Sequence, residues 1–134
     1  ATLTRIAAID MARSGVTCNA ISPFAHTRVT DIIQPANPEQ EIYKERALKV
    51  PAENVADLAA YLCSPAASEV TGQIFGVRGR EVFVFSQPKP AARVIAEGKR
   101  WDINDLARAV DDELRDEFTE LITDLEYFNM EPSV

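Results

Sequence analysis

Leu3, Ile6, Ala7 and Met11 recur at helical spacing, and the pattern stops at Gly15, a residue suited to the left-handed position after a last turn. This predicts a helix over 3–14, with Thr2 or Thr4 at its start. The period then changes. Val16-Thr17-Cys18-Asn19-Ala20-Ile21-Ser22 is a β-branched apolar run closed by Pro23, the pattern of a buried parallel strand over 16–22 that ends at a loop. Pro38 followed by Glu39 and Glu41 suits a first helical turn, where proline's missing N–H costs nothing and acids favour the dipole. A short helix over 38–48 follows. Pro51-Ala52-Glu53 repeats the signal, and Val55, Leu58, Ala59 and Leu62 give a helix over 52–63, ended by Ser64-Pro65. Gln73-Ile74-Phe75-Gly76-Val77 is a second buried strand, broken by Gly79. Glu81-Val82-Phe83-Val84-Phe85 is an extra strand that Pro88 and Pro90 close. Residues 86–100 read as an extended connection. Asp102 or Asn104 caps a last helix whose stripe, from Leu106 through Val110, Leu114, Phe118 and Leu121 to Leu125, runs to about 126.

Strands alternating with helices predict an α/β fold with a parallel sheet and crossover helices. Two such strands are few. Alone, strands buried on both faces leave unpaired edges and bare apolar faces, so neighbours made from polypeptide outside this chain are expected.

Composition narrows the classes. The 134 residues, 46% apolar and 26% charged, suit one modest globular domain. No apolar run approaches the roughly 20 residues of a spanning helix, and no signal peptide is visible, so a cytoplasmic location is expected. Cys18 and Cys63 form neither a disulfide framework nor a zinc spacing, and they read as reduced, buried thiols. Residues 1–80 carry eight Lys/Arg and eight Asp/Glu, and residues 81–134 six and thirteen, so the net charge of −7 lies in the C-terminal part. Nucleic acid and anionic membranes are poor partners for such a surface.

Taken in order, Leu3-Thr4-Arg5 through Ala12, Gly15–Pro23, Pro51–Ala56 with Tyr61–Ser64, and Val70–Phe75 resemble the C-terminal half of a short-chain dehydrogenase/reductase. The loop Phe24–Thr30 looks nearest the hydroxyacyl-CoA dehydrogenase branch. The resemblance covers residues 1–79, the C-terminal part of a Rossmann-like doubly wound parallel sheet; residues 80–134 form a strand and a mostly helical, acidic extension. It implies a partial site for NAD or NADP, a small-molecule secondary alcohol or ketone (a 3-hydroxyacyl-CoA or a steroid-like alcohol), and a homo-oligomer. The family's glycine-rich loop, serine and Tyr-x-x-x-Lys pair match no position here, so no catalytic residue and no metal ligand is assigned. The missing N-terminal portion is the implied partner, and the chain alone is expected to be inactive. The alternative is a non-catalytic interaction module derived from the same family.

The resemblance assigns the loop after the first strand to the nicotinamide, with Pro23, Ala25, His26, Thr27 and Thr30 as cofactor-side candidates. Phe24 stands where the family usually has glycine. Thr27 falls one residue before the usual threonine, so Thr27 and Thr30 compete for the carboxamide. His26, the only histidine, reads as a general base, as a residue lining the cofactor mouth or as plain surface. Arg28 reads either as a partner for a substrate phosphate or carboxylate or as half of an ion pair. Residues 29–48 match a substrate lid, in which Ile32 and Ile33, with Ile42, line an apolar pocket or simply pack helices. Asn19 is expected to be structural, because a buried amide needs backbone partners.

Overall fold

A computed structural model describes the backbone of residues 1–134 and every side chain except that of Asp124. Contacts divide the chain into two units, 1–87 with 123–134, and 88–122.

The first unit is built on helix α1 (Thr2–Met11), strand β1 (Ala20–Phe24), helices α2 (Arg28–Ile32), α3 (Pro38–Ala47) and α4 (Glu53–Leu62), and strands β2 (Ile74–Arg78) and β3 (Glu81–Val84). The sheet order is β1-β2-β3. β1 and β2 are parallel, with Ala20 opposite Ile74 and Phe24 opposite Arg78. β3 returns antiparallel to β2. The α/β fold and the crossover between the two predicted strands stand, and β1 lies at an open edge among the described residues.

Several elements differ from expectation. Neither Thr2 nor Thr4 caps α1, whose N-cap is Ala1; a 3-10 turn (Ala12–Ser14) ends at Gly15, which has φ +66°. β1 starts at Ala20 rather than Val16, because the Cys18 backbone and the Asn19 side chain are engaged by the chain entering β2. Cys18 N–H donates to Thr71 Oγ1 (3.0 Å), the Asn19 amide donates to Val70 O (2.7 Å) and Gln73 N–H donates to Asn19 Oδ1 (3.1 Å). Asn19 is thus the structural residue expected. The thiol reading needs correction: Cys18 is half-buried and Cys63, at the end of α4, is exposed; both are free.

Ala8, Val50, Leu58, Ala67, Val77 and Phe128 form the apolar core. The last of these comes from the C-terminal segment, which folds back onto the sheet after helix α6, Asp124–Tyr127. Phe128 packs among Phe24 and Phe83, with ring centroids 4.6 Å and 5.4 Å away. Arg78, 4% exposed, lies 5.5 Å from the Phe128 ring and donates to Phe128 O (3.4 Å) and Met130 O. At the β2–β3 turn Gly79 has φ +58°, and Arg80 N–H donates to Ser133 O (2.7 Å).

In the second unit, Asp102 caps helix α5 (Ile103–Ala109), its Oδ1 accepting from Asn104 N–H at 2.8 Å. The predicted continuous helix to 126 is broken by a π turn at Val110–Leu114 and a 3-10 turn at Arg115–Glu117. Asp111, Asp112 and Glu113 crowd the negative end of the α5 dipole, which opposes continuation as a regular helix.

Candidate functional site

β1 delivers the chain to the loop Ala25-His26-Thr27 at its carboxyl end, beside α2. Ligands of open α/β sheets bind outside this end of the strands. Phe24, which stands where the resemblance leads one to expect glycine, turns its ring into the Phe83–Phe128 cluster.

Local hydrogen bonds fix the loop. His26 N–H donates to Val50 O at 2.8 Å, tying it to the chain just after α3. The His26 imidazole Nε2 is 2.8 Å from Asp31 Oδ1, so the side chain spans from the loop to α2. Thr27 caps α2: its Oγ1 accepts from Val29 N–H (3.3 Å), while its own N–H donates to Thr30 Oγ1 (3.3 Å). Thr30 Oγ1 in turn donates to Ala25 O (3.4 Å). The Thr30 hydroxyl is therefore used as both donor and acceptor. The Thr27 hydroxyl accepts, and among the described residues its proton has no acceptor. A donor hydroxyl in an exposed loop is able to bond an acceptor oxygen of a ligand.

Pro23 is exposed and Ala25 half-buried at the strand end. Arg28 is exposed in the first turn of α2, and no ion-pair partner for it occurs among the described residues. Ile32 and Ile33 are 73% and 51% exposed, and Ile42 47%, so residues 1–134 do not close an apolar pocket around them. Lys44 Nζ donates to Asp31 O (3.1 Å) and Ile33 O (2.6 Å), binding the end of α2 to α3. The sequence offered no sign of this link, because a lysine reaching two carbonyls leaves no periodic trace.

A second constellation was also missed. The Arg46 guanidinium, from α3, donates to Asn129 Oδ1 (2.7 Å) and to Glu131 Oε1 (3.3 Å), and Lys49 Nζ lies 2.8 Å from Glu131 Oε2. The bond from Lys49, with Arg46 assisting, holds the Glu131 carboxyl below its usual range. At Glu81, burial acts to raise the carboxyl, but hydrogen bonds from Ser133 and the Arg78 charge outweigh it and the net shift is downward.

Other surfaces are open. An apolar side of α1 shows Leu3, Ile6 and Ile9 at 79%, 52% and 71% exposure. A cleft of about 550 Å3 lies between Thr17, Asn19 and Ile21 on one side and Ala59 and Leu62 on the other. Another, of about 430 Å3, is lined by Asp57, Tyr61, Phe75 and Val82. Among the described residues no His, Cys, Asp and Glu cluster has the makings of a metal site, and no helix is long and apolar enough to cross a membrane.

Residues 1–79 match a family described as enoyl-(acyl carrier protein) reductase. Hydroxyacyl-CoA dehydrogenase ChsB1 of Mycobacterium tuberculosis is 37% identical over 110 residues, 82% of this chain and 34% of that protein. The 2,3-dihydroxy-2,3-dihydro-p-cumate dehydrogenase of Pseudomonas putida is 40% identical over 85 residues, 58% of this chain and 32% of that protein. A solved short chain dehydrogenase from Mycobacterium avium superposes with a TM-score of 0.60 at 33% identity, covering 85% of this chain and 33% of that one. The chain thus spans about a third of the length of these relatives.

Proposed function

Because the chain belongs to the short-chain dehydrogenase/reductase family, we propose that it is the nicotinamide-side and lid portion of an oxidoreductase acting on a secondary alcohol or ketone. The observation that carries the reading is the loop at the carboxyl end of β1, where Thr27 offers a hydroxyl proton that nothing among the described residues accepts. NAD or NADP supplies the hydride chemistry when bound. This chain's contribution is orientation. The Thr27 hydroxyl would donate to the carboxamide, while the capping box with Thr30 holds Thr27 in place and the His26–Asp31 contact keeps the loop against α2. Fixing one ring face in this way supplies the alignment that hydride transfer requires.

Arg28 carries an unpaired charge toward an anionic group of the substrate, and Ile32 and Ile33 offer it apolar surface. A 3-hydroxyacyl-CoA, with phosphates and an acyl chain, combines both features. The open edge of β1, the bare face of α1 and the cleft beside Ile21 supply the surface against which the N-terminal strands and helices of the enzyme pack. The exposed Tyr61 and Val82 around the cleft on α4 and β3 favour a second copy there, making the enzyme a homo-oligomer. Since the phosphate cradle and the proton-transfer residues match no position here, residues 1–134 alone have no activity.

The test is kinetic. In the intact enzyme, Thr27→Ala raises KM for the dinucleotide and slows hydride transfer about tenfold, as loss of an orienting hydrogen bond does. Turnover of an alcohol with NAD or NADP by the 134-residue chain alone would overturn the proposal, as would an intact enzyme indifferent to Thr27→Ala.

A further inference from the structure

The loop 25–30, helices α2 and α3 and the C-terminal segment form one connected chain of polar contacts. Glu131 and Asn129 hold Arg46 and Lys49 at the end of α3. Lys44, on the same helix, holds the last carbonyls of α2. Val50, 2% exposed and just beyond α3, accepts from His26 N–H of the loop. The far end of the chain of contacts is anchored in the sheet, because buried Arg78 grips the carbonyls of Phe128 and Met130. Glu81 accepts from Ser133 N–H at 2.9 Å. Residues 128–134 therefore bridge from the β2–β3 hairpin to α3.

We infer that Glu131 is a positioning residue: through Arg46 and Lys49 it fixes the end of α3 to the sheet, and so sets where α2 and the His26–Thr30 loop stand. A second attachment of α3 to the sheet runs through Val50 and a small pocket that Phe24, Tyr43 and Ala47 line together with Arg46 and Arg78. The charged contacts supply direction. They are exposed, with Glu131 and Lys49 at 63% and 51% side-chain exposure, so they are weak enough to break and reform as the helices move. The sequence separation is 82 to 85 residues, which makes this a tertiary tether rather than part of helix formation. The inference rests on reading α2–α3 as the mobile lid beside the cofactor loop.

Hydrogen exchange on the intact protein tests it, comparing wild type with Glu131→Gln. The variant keeps the size of the side chain and removes the charge. Amides of 28–33 and 41–50 are expected to exchange about threefold faster, as loss of exposed ion pairs does, with amides of 75–84 unchanged. Raising salt to about 1 M should speed exchange at 28–33 in wild type and leave the variant unmoved, a signature that a purely packing role lacks. Glu131→Asp should restore part of the protection. Unaltered exchange at 28–33 overturns the inference, and so does an equal increase across 75–84, which would make Glu131 a general stabiliser of the fold. A kinetic arm separates it from the functional reading. If exchange at 28–33 shifts selectively but neither KM nor kcat of the intact oxidoreductase moves, the tether stands and the assignment of α2–α3 as a substrate lid fails.

Discussion

Gly79 is where the hairpin turn and the C-terminal segment constrain each other most tightly. It has φ +58°, and a Cβ built on it falls 2.3 Å from Ser133 O and 3.2 Å from Ser133 C. Gly79→Ala therefore carries two costs. The left-handed backbone disfavours an L residue by about 1–2 kcal/mol. The Cβ also displaces backbone rather than a flexible side chain, so the bond from Arg80 N–H to Ser133 O is lost, about another 1 kcal/mol, and the Ser133–Glu81 contact is disturbed. The expected loss is about 2–3 kcal/mol in equilibrium urea unfolding. Gly79→Asn separates the two costs. Asparagine tolerates the left-handed region but still carries a Cβ, so it should recover at most the backbone part and keep the loss of about 1 kcal/mol that comes from Ser133. If Gly79→Asn instead unfolds at the wild-type midpoint, the close approach of Ser133 to the turn is not a real restraint, and the packing described for residues 128–134 is wrong.

Three further perturbations address the sheet. A Cβ on Gly76 would sit 1.9 Å from the Phe83 ring, which Phe24, Phe85 and Phe128 hem in; Gly76→Ala should cost about 1–3 kcal/mol, and Phe83→Leu in the same chain should recover part of it. Asn19→Ala leaves Val70 O and Gln73 N–H without partners, a loss of about 1–3 kcal/mol by urea unfolding. Glu81 is shifted down in the folded state, so its stabilisation is complete above its ordinary value of 4.5 and disappears as pH falls through the lower folded value. Acid unfolding of Glu81→Gln should accordingly show a shallower loss of stability in that range than wild type, and an unchanged acid limb would contradict the assigned contacts.

The parts of the fold legible in the sequence are those with local causes. Gly15 ends the 3-10 turn that follows α1 because it accepts a left-handed conformation, the Val55–Leu62 stripe packs through Leu58, and the two apolar runs pair in parallel. Helix α2 was not foreseen, because its cap joins Thr27 to a second threonine, Thr30, rather than to the glutamate or glutamine that signals a capping box. Phe128 and Arg78, the centre of the C-terminal packing, are 50 residues apart and carry no periodic signature together. Of the candidate site residues, Thr30 has a hydroxyl that both donates and accepts, and Thr27 one that accepts from Val29 N–H, a difference that spacing does not show. The hydrogen bonds also give His26 a structural partner in Asp31 that the sequence did not suggest.

The most direct measurement is a crystal structure of the full-length protein grown with NADH or NADPH. A strand from outside residues 1–134 is expected along the free edge of β1, with the nicotinamide amide within hydrogen-bond distance of Thr27. A solvent-exposed β1 edge in that structure, or a dinucleotide seated away from the loop 25–30, would contradict this expectation.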